Sequence, residues 1–360
     1  MQAKLILEDG TVYTGTSIGS TRTAISEIVF NTSMTGYLEV LTDPSYAGQA
    51  IVMTYPLIGN YGFTDDMESE RSWADGYIVR ELSRLDSNFR SMGSLEDFLI
   101  KSDIPGICGV DTRSLTRRLR NKGTMNGMIT TEDVNPDEVL SDIKGYSVGD
   151  VVSKVTCKKP YVVKGKGYKV ALLDLGAKKS IAKSLSRRGC QVNVYPADTL
   201  AEQIIRDEPD GILLSNGPGD PKSCTGIINQ IKTLCESDIP IFAICLGHQL
   251  LALANGGDTH KMKYGHRGGN HPVKDVKTGK VYISSQNHGY VVDENSIPKD
   301  VAVPSFVNVN DKTNEGMAYI NKDIFTVQFH PEAAPGPMDS GVLFDRFCDM
   351  MARKRGNKNA

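Results

Sequence analysis

From residue 168 onward, short apolar runs alternate with segments whose apolar residues recur at helical spacing. Lys169–Asp174, Gln191–Tyr195, Gly211–Ser215 and Pro240–Ile244 read as strands, and Lys178–Arg188, Thr199–Asp207 and Thr225–Glu236 between them read as helices. That alternation predicts an α/β fold, a doubly wound and mainly parallel sheet. After Gly257 the pattern shortens to alternating runs, Val273–Val276 and Lys280–Ser284 around Lys277-Thr278-Gly279, then Val301–Val309 and Ile324–Phe329. These predict antiparallel additions, closed by a helix near Asp339–Arg353. The first half differs: Lys4–Leu7 and Thr11–Thr14 flank Glu8-Asp9-Gly10 as a hairpin, and Leu95–Lys101 and Ser114–Asn121 read as helices. It predicts a smaller α+β N-terminal domain.

At roughly 150 residues per domain, 360 residues predict two. The expected division is a first domain over 1–150, a linker over 151–167 carrying Pro160, Gly165, Gly167 and several lysines, and a second domain over 168–360. Charged residues make up 23% and the net charge is -2, so no broad field draws the chain to nucleic acid or anionic lipid. The first ten residues alternate Lys, Leu and Glu, and no apolar run approaches the ~20 residues of a membrane span, which predicts neither signal peptide nor membrane segment. Seven scattered cysteines without a CxxC pair predict reduced thiols and a cytoplasmic location.

The sharpest chemical signal runs from Pro240 to Leu251, a buried strand breaking into a helix with Cys245 at the junction. Such a nucleophile elbow needs small residues two positions either side, here Ala243 and Gly247. A helix N-terminus and a neighbouring imidazolium both favour a thiolate. The plainer alternative is that Cys245 is one more small buried apolar residue. Gln328-Phe329-His330-Pro331-Glu332, after the last apolar strand, weighs against it. In an extended segment residues two apart face one side, so Glu332 is expected to bond or flank the His330 imidazole and orient a base. A third element, Leu214 to Pro221, holds Gly217 and Gly219, whose backbone N–H groups together with that of Leu246 suit a developing oxyanion. Read alone, it is also an ordinary Gly/Pro turn. His260, His266 and His271 lie among Lys261, Lys263, Arg267 and Lys274 with no carboxylate between them, and read as loop histidines in place of zinc ligands. His248 and His288 read as structural members of the site, with the alternative that His248, at the elbow, faces the thiol. The basic run Arg113–Arg120, with Leu115 and Leu119 four apart, reads as a solvated helix face or a partner surface more than as a phosphate site.

The Gly-Pro-Gly loop, the elbow and the His-Pro-Glu end, in this order, resemble class I glutamine amidotransferases over residues 168 to about 353. Phe30–Tyr46, Thr54–Gly62 and Gly109–Arg117 are similar to the small-subunit family of carbamoyl-phosphate synthetases, so the likeness runs almost end to end. It implies a catalytic set of Cys245 as nucleophile, His330 as acid and base, and Glu332 as orienter. It also implies glutamine held by Ser45, Gly217, Gly219, Leu246, Gln249, Asn287, Gly289 and Tyr290. Ala243 replaces a frequent glycine and Tyr290 a phenylalanine. No G-x-x-x-x-G-K-[ST] loop is present, so no cofactor is expected in this chain. ATP and Mg chemistry is implied to reside in a large partner subunit that uses the released ammonia to make carbamoyl phosphate for arginine or pyrimidine biosynthesis. Two rivals stay open, the glutaminase half of another biosynthetic pair and a catalytically dead docking subunit. The front domain argues against the first and the intact triad against the second.

Overall fold

The first hairpin forms where the alternation places it. In a computed structural model describing residues 1–358, β1 (Gln2–Leu7) and β2 (Val12–Ser17) pair antiparallel from Gln2 opposite Thr16 to Ile6 opposite Val12. Gly10, at φ +82°, turns the chain between them. Contacts divide the chain into two units, Met1–Gly149 and the residues from Asp150 onward.

In the first unit the hairpin joins β3 (Ala24–Asn31), β4 (Gln49–Met53), β6 (Gly76–Ile78), β8 (Gly106–Cys108) and β9 (Met125–Thr130). Together they close a barrel in the order β1-β2-β8-β6-β4-β3-β9. A short pair, β5 (Leu57–Ile58) with β7 (Glu81–Leu82), stands apart. The helices are α1 (Tyr37–Thr42), α2 (Leu95–Lys101), α3 (Thr112–Lys122) and α4 (Pro136–Gly145), so the α+β class holds. Closure was not visible in the periodicity, because β9 pairs with β1 on one side and β3 on the other across more than ninety residues of chain. On α3, Leu115 and Leu119 are buried while Arg113, Arg117 and Arg120 face water. Arg118 and Lys122 both reach the Asp9 carboxylate, at 2.7 and 2.9 Å, and tie the helix to the hairpin turn.

The second unit carries α5 (Val152–Val155), β10 (Tyr161–Val163), β11 (Lys169–Asp174), α6 (Lys179–Ser186), β12 (Gln191–Pro196), α7 (Ala201–Arg206), β13 (Gly211–Leu214), α8 (Thr225–Cys235) and β14 (Ile241–Ile244). It continues through α9 (Leu246–Ala254), β15 (Asp258–Asp275), β16 (Val281–Asp293), β17 (Ala302–Asn308), β18 (Asn314–Tyr319), β19 (Ile324–Val327) and α10 (Val342–Lys358). One ten-stranded sheet runs β10-β12-β11-β13-β14-β19-β18-β17-β15-β16. From β12 through β19 the pairing is parallel, and the strands beyond are antiparallel. α6 and α10 cover one face and α7, α8 and α9 the other, so the sheet is doubly wound. Every residue of β13, β14 and β19 is buried, as expected of parallel strands packed on both sides.

Residues 151–167, whose composition predicts a linker, contain α5 and the edge strand β10, paired antiparallel with β12 from Tyr161 opposite Val194. Three residues, two of them exposed, are too few to display an alternation. Two other features decide where the chemistry lies. β13, β14 and β19 are consecutive in the sheet, so their carboxyl ends bring together the Gly217 loop, Cys245 and His330, which the sequence spreads over more than a hundred residues. β15 and β16 are far longer than their apolar cores suggested, 18 and 13 residues, with two register shifts between them. The added length holds polar residues that pair by backbone, and His266, Arg267, Gln286 and His288 among them bury their side chains, which apolar periodicity cannot reveal.

Candidate active site

β14 is apolar at every position and ends at Ile244, while α9 begins at Leu246, so Cys245 alone makes the turn. It sits at φ +53° and ψ -105°, outside the regions open to an unstrained L-residue. Its N–H donates to Val327 O at 2.8 Å, which binds the turn to β19. The elbow is tight: a Cβ at Gly247 would stand 2.6 Å from Leu214 O, and the Gly247 N–H donates to Ser215 O at 3.0 Å. The thiol is buried and lies 3.6 Å from Asn287 O. Leu246 opens the first turn of α9, where N–H groups have no intrahelical acceptor. Gly217 flanks it, with room for no side chain because a Cβ would meet Leu175 O at 2.2 Å. Gly219 adopts φ +92° in the same loop.

His330 follows β19, and its N–H donates to Ser285 O at 2.9 Å. Its Nδ1 donates to Glu332 Oε1 at 2.7 Å, which leaves Nε2 to serve as the base in the neutral ring. The contact is made differently from the extended geometry expected of the sequence. The chain turns after His330, with the Ala333 N–H donating to His330 O at 3.1 Å, and the turn carries Glu332 back under the ring. Burial opposes the imidazolium, but the Glu332 carboxylate outweighs it and, with the Cys245 thiol adding in the same direction, raises the His330 pKa to about 10. Burial likewise opposes the Glu332 carboxylate, yet Lys178 and His330 bring its pKa down to about 2.

This constellation fits a known class of sequences. The class-I glutamine amidotransferase family profile matches residues 171–350, and that of the carbamoyl-phosphate synthase small chain, CPSase domain, matches residues 5–129. The chain is 50% identical, over 97% of its length and 95% of the relative's, to a carbamoyl phosphate synthase small chain of Oceanobacillus iheyensis. It is 49% identical to that of Clostridium perfringens over 96% of this chain and 99% of the relative. The chain belongs to the carbamoyl phosphate synthase small chain family.

In this small chain the residues expected to hold glutamine fall into two places. Gly217, Gly219, Leu246, Gln249, Asn287, Gly289 and Tyr290 all belong to the second unit. Asn287, Gly289 and Tyr290 lie on β16, which the 3.6 Å contact at Asn287 sets beside the thiol. Gln249 is buried, its Nε2 donating to Tyr290 O at 2.9 Å and to Gln328 Oε1 at 3.0 Å, so it ties α9 to β16. Ser45 belongs to the first unit, buried in a 3-10 turn whose Asp43 side chain accepts its N–H at 2.9 Å. His248 is buried with Nδ1 2.7 Å from Thr326 Oγ1, and burial lowers its pKa to about 3, so it packs as a neutral ring.

Two readings of the small-chain sequence are corrected. The first concerns His266 and His271, which are not loop residues: both lie on β15, and folding brings Asp311 and Glu315 alongside from the region of β18. The carboxylates lie more than forty residues from His266 in sequence and arrive through strand pairing. His260 is exposed. The second is an omission. Lys178, just before α6, has a nearly fully buried side chain, its Nζ 2.9 Å from Glu332 Oε1 and donating to Ala333 O at 2.6 Å. The available signal was a lysine at a helix N-terminus, where the macrodipole disfavours positive charge.

Removing Lys178 leaves a buried carboxylate with one cation instead of two. Lys178→Met is expected to cost about 3–5 kcal/mol of stability at neutral pH, as breaking a buried pair from one side does. Glu332 has a folded pKa below its ordinary 4.5, so its contribution is present above about 4.5 and fades as pH falls toward about 2. Urea titrations should therefore show a wild-type advantage at pH 7 that narrows in acid. A gap unchanged between pH 7 and pH 3 would contradict the role assigned to the ion pair.

Proposed function

We propose that this chain hydrolyses L-glutamine through a Cys245 thioester and passes the ammonia to a large ATP-using subunit that makes carbamoyl phosphate. The observation that carries this reading is the elbow thiol beside a histidine whose Nδ1 is 2.7 Å from Glu332. His330 Nε2 takes the thiol proton, and the thiolate attacks the side-chain carboxamide carbon. The oxyanion is met by the Leu246 N–H and the Gly217 to Gly219 loop. Collapse expels ammonia with a proton from the His330 imidazolium, leaving the glutamyl thioester. Water, deprotonated by His330, hydrolyses that thioester and regenerates the thiol. Asn287, Gly289 and Tyr290 receive the amino-acid end of glutamine, Gln249 holds that strand, and Ser45 completes the set implied by family likeness.

ATP and Mg belong to the partner in this reading, and the chain itself needs no cofactor. No described helix is long and apolar enough to cross a membrane, in keeping with work in the cytoplasm. The product serves arginine or pyrimidine biosynthesis. Ammonia in water at neutral pH is largely protonated and non-nucleophilic, so hydrolysis is useful only when coupled to its consumer. The isolated chain is expected to release glutamate slowly and to accelerate about 5- to 150-fold on binding the large subunit with bicarbonate and ATP, the usual range of coupling between sites. Glutamate release with and without the partner tests this. Full-speed hydrolysis by the isolated chain defeats the coupling, and carbamoyl phosphate made by it alone defeats the division of labour.

A further inference from the structure

Behind the strand that carries Asn287, Gly289 and Tyr290 lies a buried polar cluster that the mechanism above does not use. His266 on β15, Gln286 and His288 on β16, and Glu315 on β18 are each 6% exposed or less. Among the described residues, His266, His288 and Glu315 form the group of ligand-type side chains close enough to suggest a metal ion. Their hydrogen bonds point elsewhere. Glu315 Oε1 already accepts Gln286 Nε2 at 2.8 Å and Asn308 Nδ2 at 2.9 Å, so the lone pairs of that oxygen are taken by amide donors, while Oε2 is buried with no hydrogen-bond partner. That first bond also fixes the Gln286 amide with Oε1 toward the two rings.

The donors and acceptors then decide the charge. His266 Nε2 faces the Asp311 carboxylate at 2.7 Å, and Nδ1 faces Gln286 Oε1 at 3.0 Å. Both partners only accept, so both ring nitrogens carry protons and His266 is an imidazolium. His288 Nδ1 donates to Tyr290 O at 2.7 Å, and its Nε2 stands 3.2 Å from His266 Nδ1 and 2.8 Å from Gln286 Oε1. Two lone-pair atoms, Gln286 Oε1 and His288 Nε2, thus gather around one His266 proton, and without it they would repel. Glu315, excluded from water, has the same ring 3.5 Å away to balance its charge. Burial disfavours the charged His266, but its bonds to Asp311 and Glu315 prevail and raise its pKa to about 9. His288 is held well below the ordinary histidine range, by burial first and then by the His266 charge. The other ionisable neighbours are His271, its ring centre 5.1 Å from that of His266, and Arg267, whose guanidinium donates to Tyr264 O.

We propose that His266 is a positioning residue for glutamine, its proton clamping Gln286 and His288 together and so setting the Asn287 to Tyr290 backbone against the thiol. The inference rests on the proposed function above and adds to it a residue that touches neither glutamine nor the reacting atoms. The bond from His288 Nδ1 to Tyr290 O carries the effect forward, and Gln249 meets the same carbonyl from α9.

The full-length chain should be assayed for glutamate release across a glutamine series. His266→Ala is expected to raise the glutamine KM about tenfold or more while kcat at saturation moves less than threefold. Asp311 is 42% exposed at its side chain, so Asp311→Asn can be made without threatening the core. It should raise KM in the same direction by a smaller factor, and Asp311→Glu should restore it. An active wild type with KM unmoved in both His266→Ala and Asp311→Asn would overturn the inference alone. Equal losses in kcat and KM that Asp311→Glu does not relieve would also overturn it, since they mark a merely structural role. So would stoichiometric zinc in the purified wild-type chain, which would put a metal where the proton is assigned. A wild type inert toward glutamine, with or without its partner, would instead bring down the function and this inference with it.

Discussion

Cys245→Ser is expected to abolish glutamine hydrolysis, by on the order of 10^4-fold or more, as when other enzymes lose a covalent nucleophile. A serine hydroxyl has almost the same volume as the thiol, so the strained turn at φ +53° and the packing around it should survive. What disappears is an anion accessible near neutral pH: His330 can draw a proton from a thiol far more readily than from an alcohol. The remaining site should still bind glutamine, because Asn287, Gly289, Tyr290 and the Gly217 loop are untouched. The complex with the large subunit should still make carbamoyl phosphate from supplied ammonia. Glutamate release by the variant, glutamine binding by equilibrium dialysis and ammonia-dependent synthesis test the three statements separately. Hydrolysis within tenfold of wild type would remove Cys245 from the mechanism.

His330→Ala should lower turnover by about 10^2 to 10^4-fold, the usual value of a positioned acid and base. Glu332→Ala should lower it less. In the proposed mechanism His330 handles the proton in both halves of the reaction, whereas Glu332 holds the ring through one 2.7 Å bond to Nδ1 and supports its charge. Glu332→Ala also strands Lys178 in a buried position, so its loss must be read beside a denaturation curve taken under assay conditions. With Glu332 gone the His330 pKa should fall toward or below the ordinary histidine value, because burial then acts with less opposition. The pH profile of the residual activity should shift to lower pH accordingly. A His330→Ala variant that kept most of its activity would mean that the base has been misassigned.

The division between legible and hidden features follows interaction range. Strand Lys169–Asp174 and helix Leu95–Lys101 were bounded to the residue, and the elbow at Cys245 and the His330–Glu332 pair were visible as motifs. Each is encoded within a few neighbouring residues, by a period of two or 3.6 or by a turn's demand for small side chains. The short edge strand Tyr161–Val163 and the polar extensions of the two long antiparallel strands were missed, since no apolar period marks them.

The sequence by itself determined the fold class and the family likeness, and it singled out Cys245, His330 and Glu332, the residues proposed as nucleophile, base and orienter. Tertiary structure decided the barrel closure in the first unit, the turn that swings Glu332 under His330, and the burial of Lys178 against that carboxylate. It also decided that His266 meets Asp311 and Glu315, which lie more than forty residues away along the chain. The physical reason is common to these cases. A charge or lone pair buried away from water must find its partner in space, and strand order chooses that partner, whereas a local pattern records only which residues share a face.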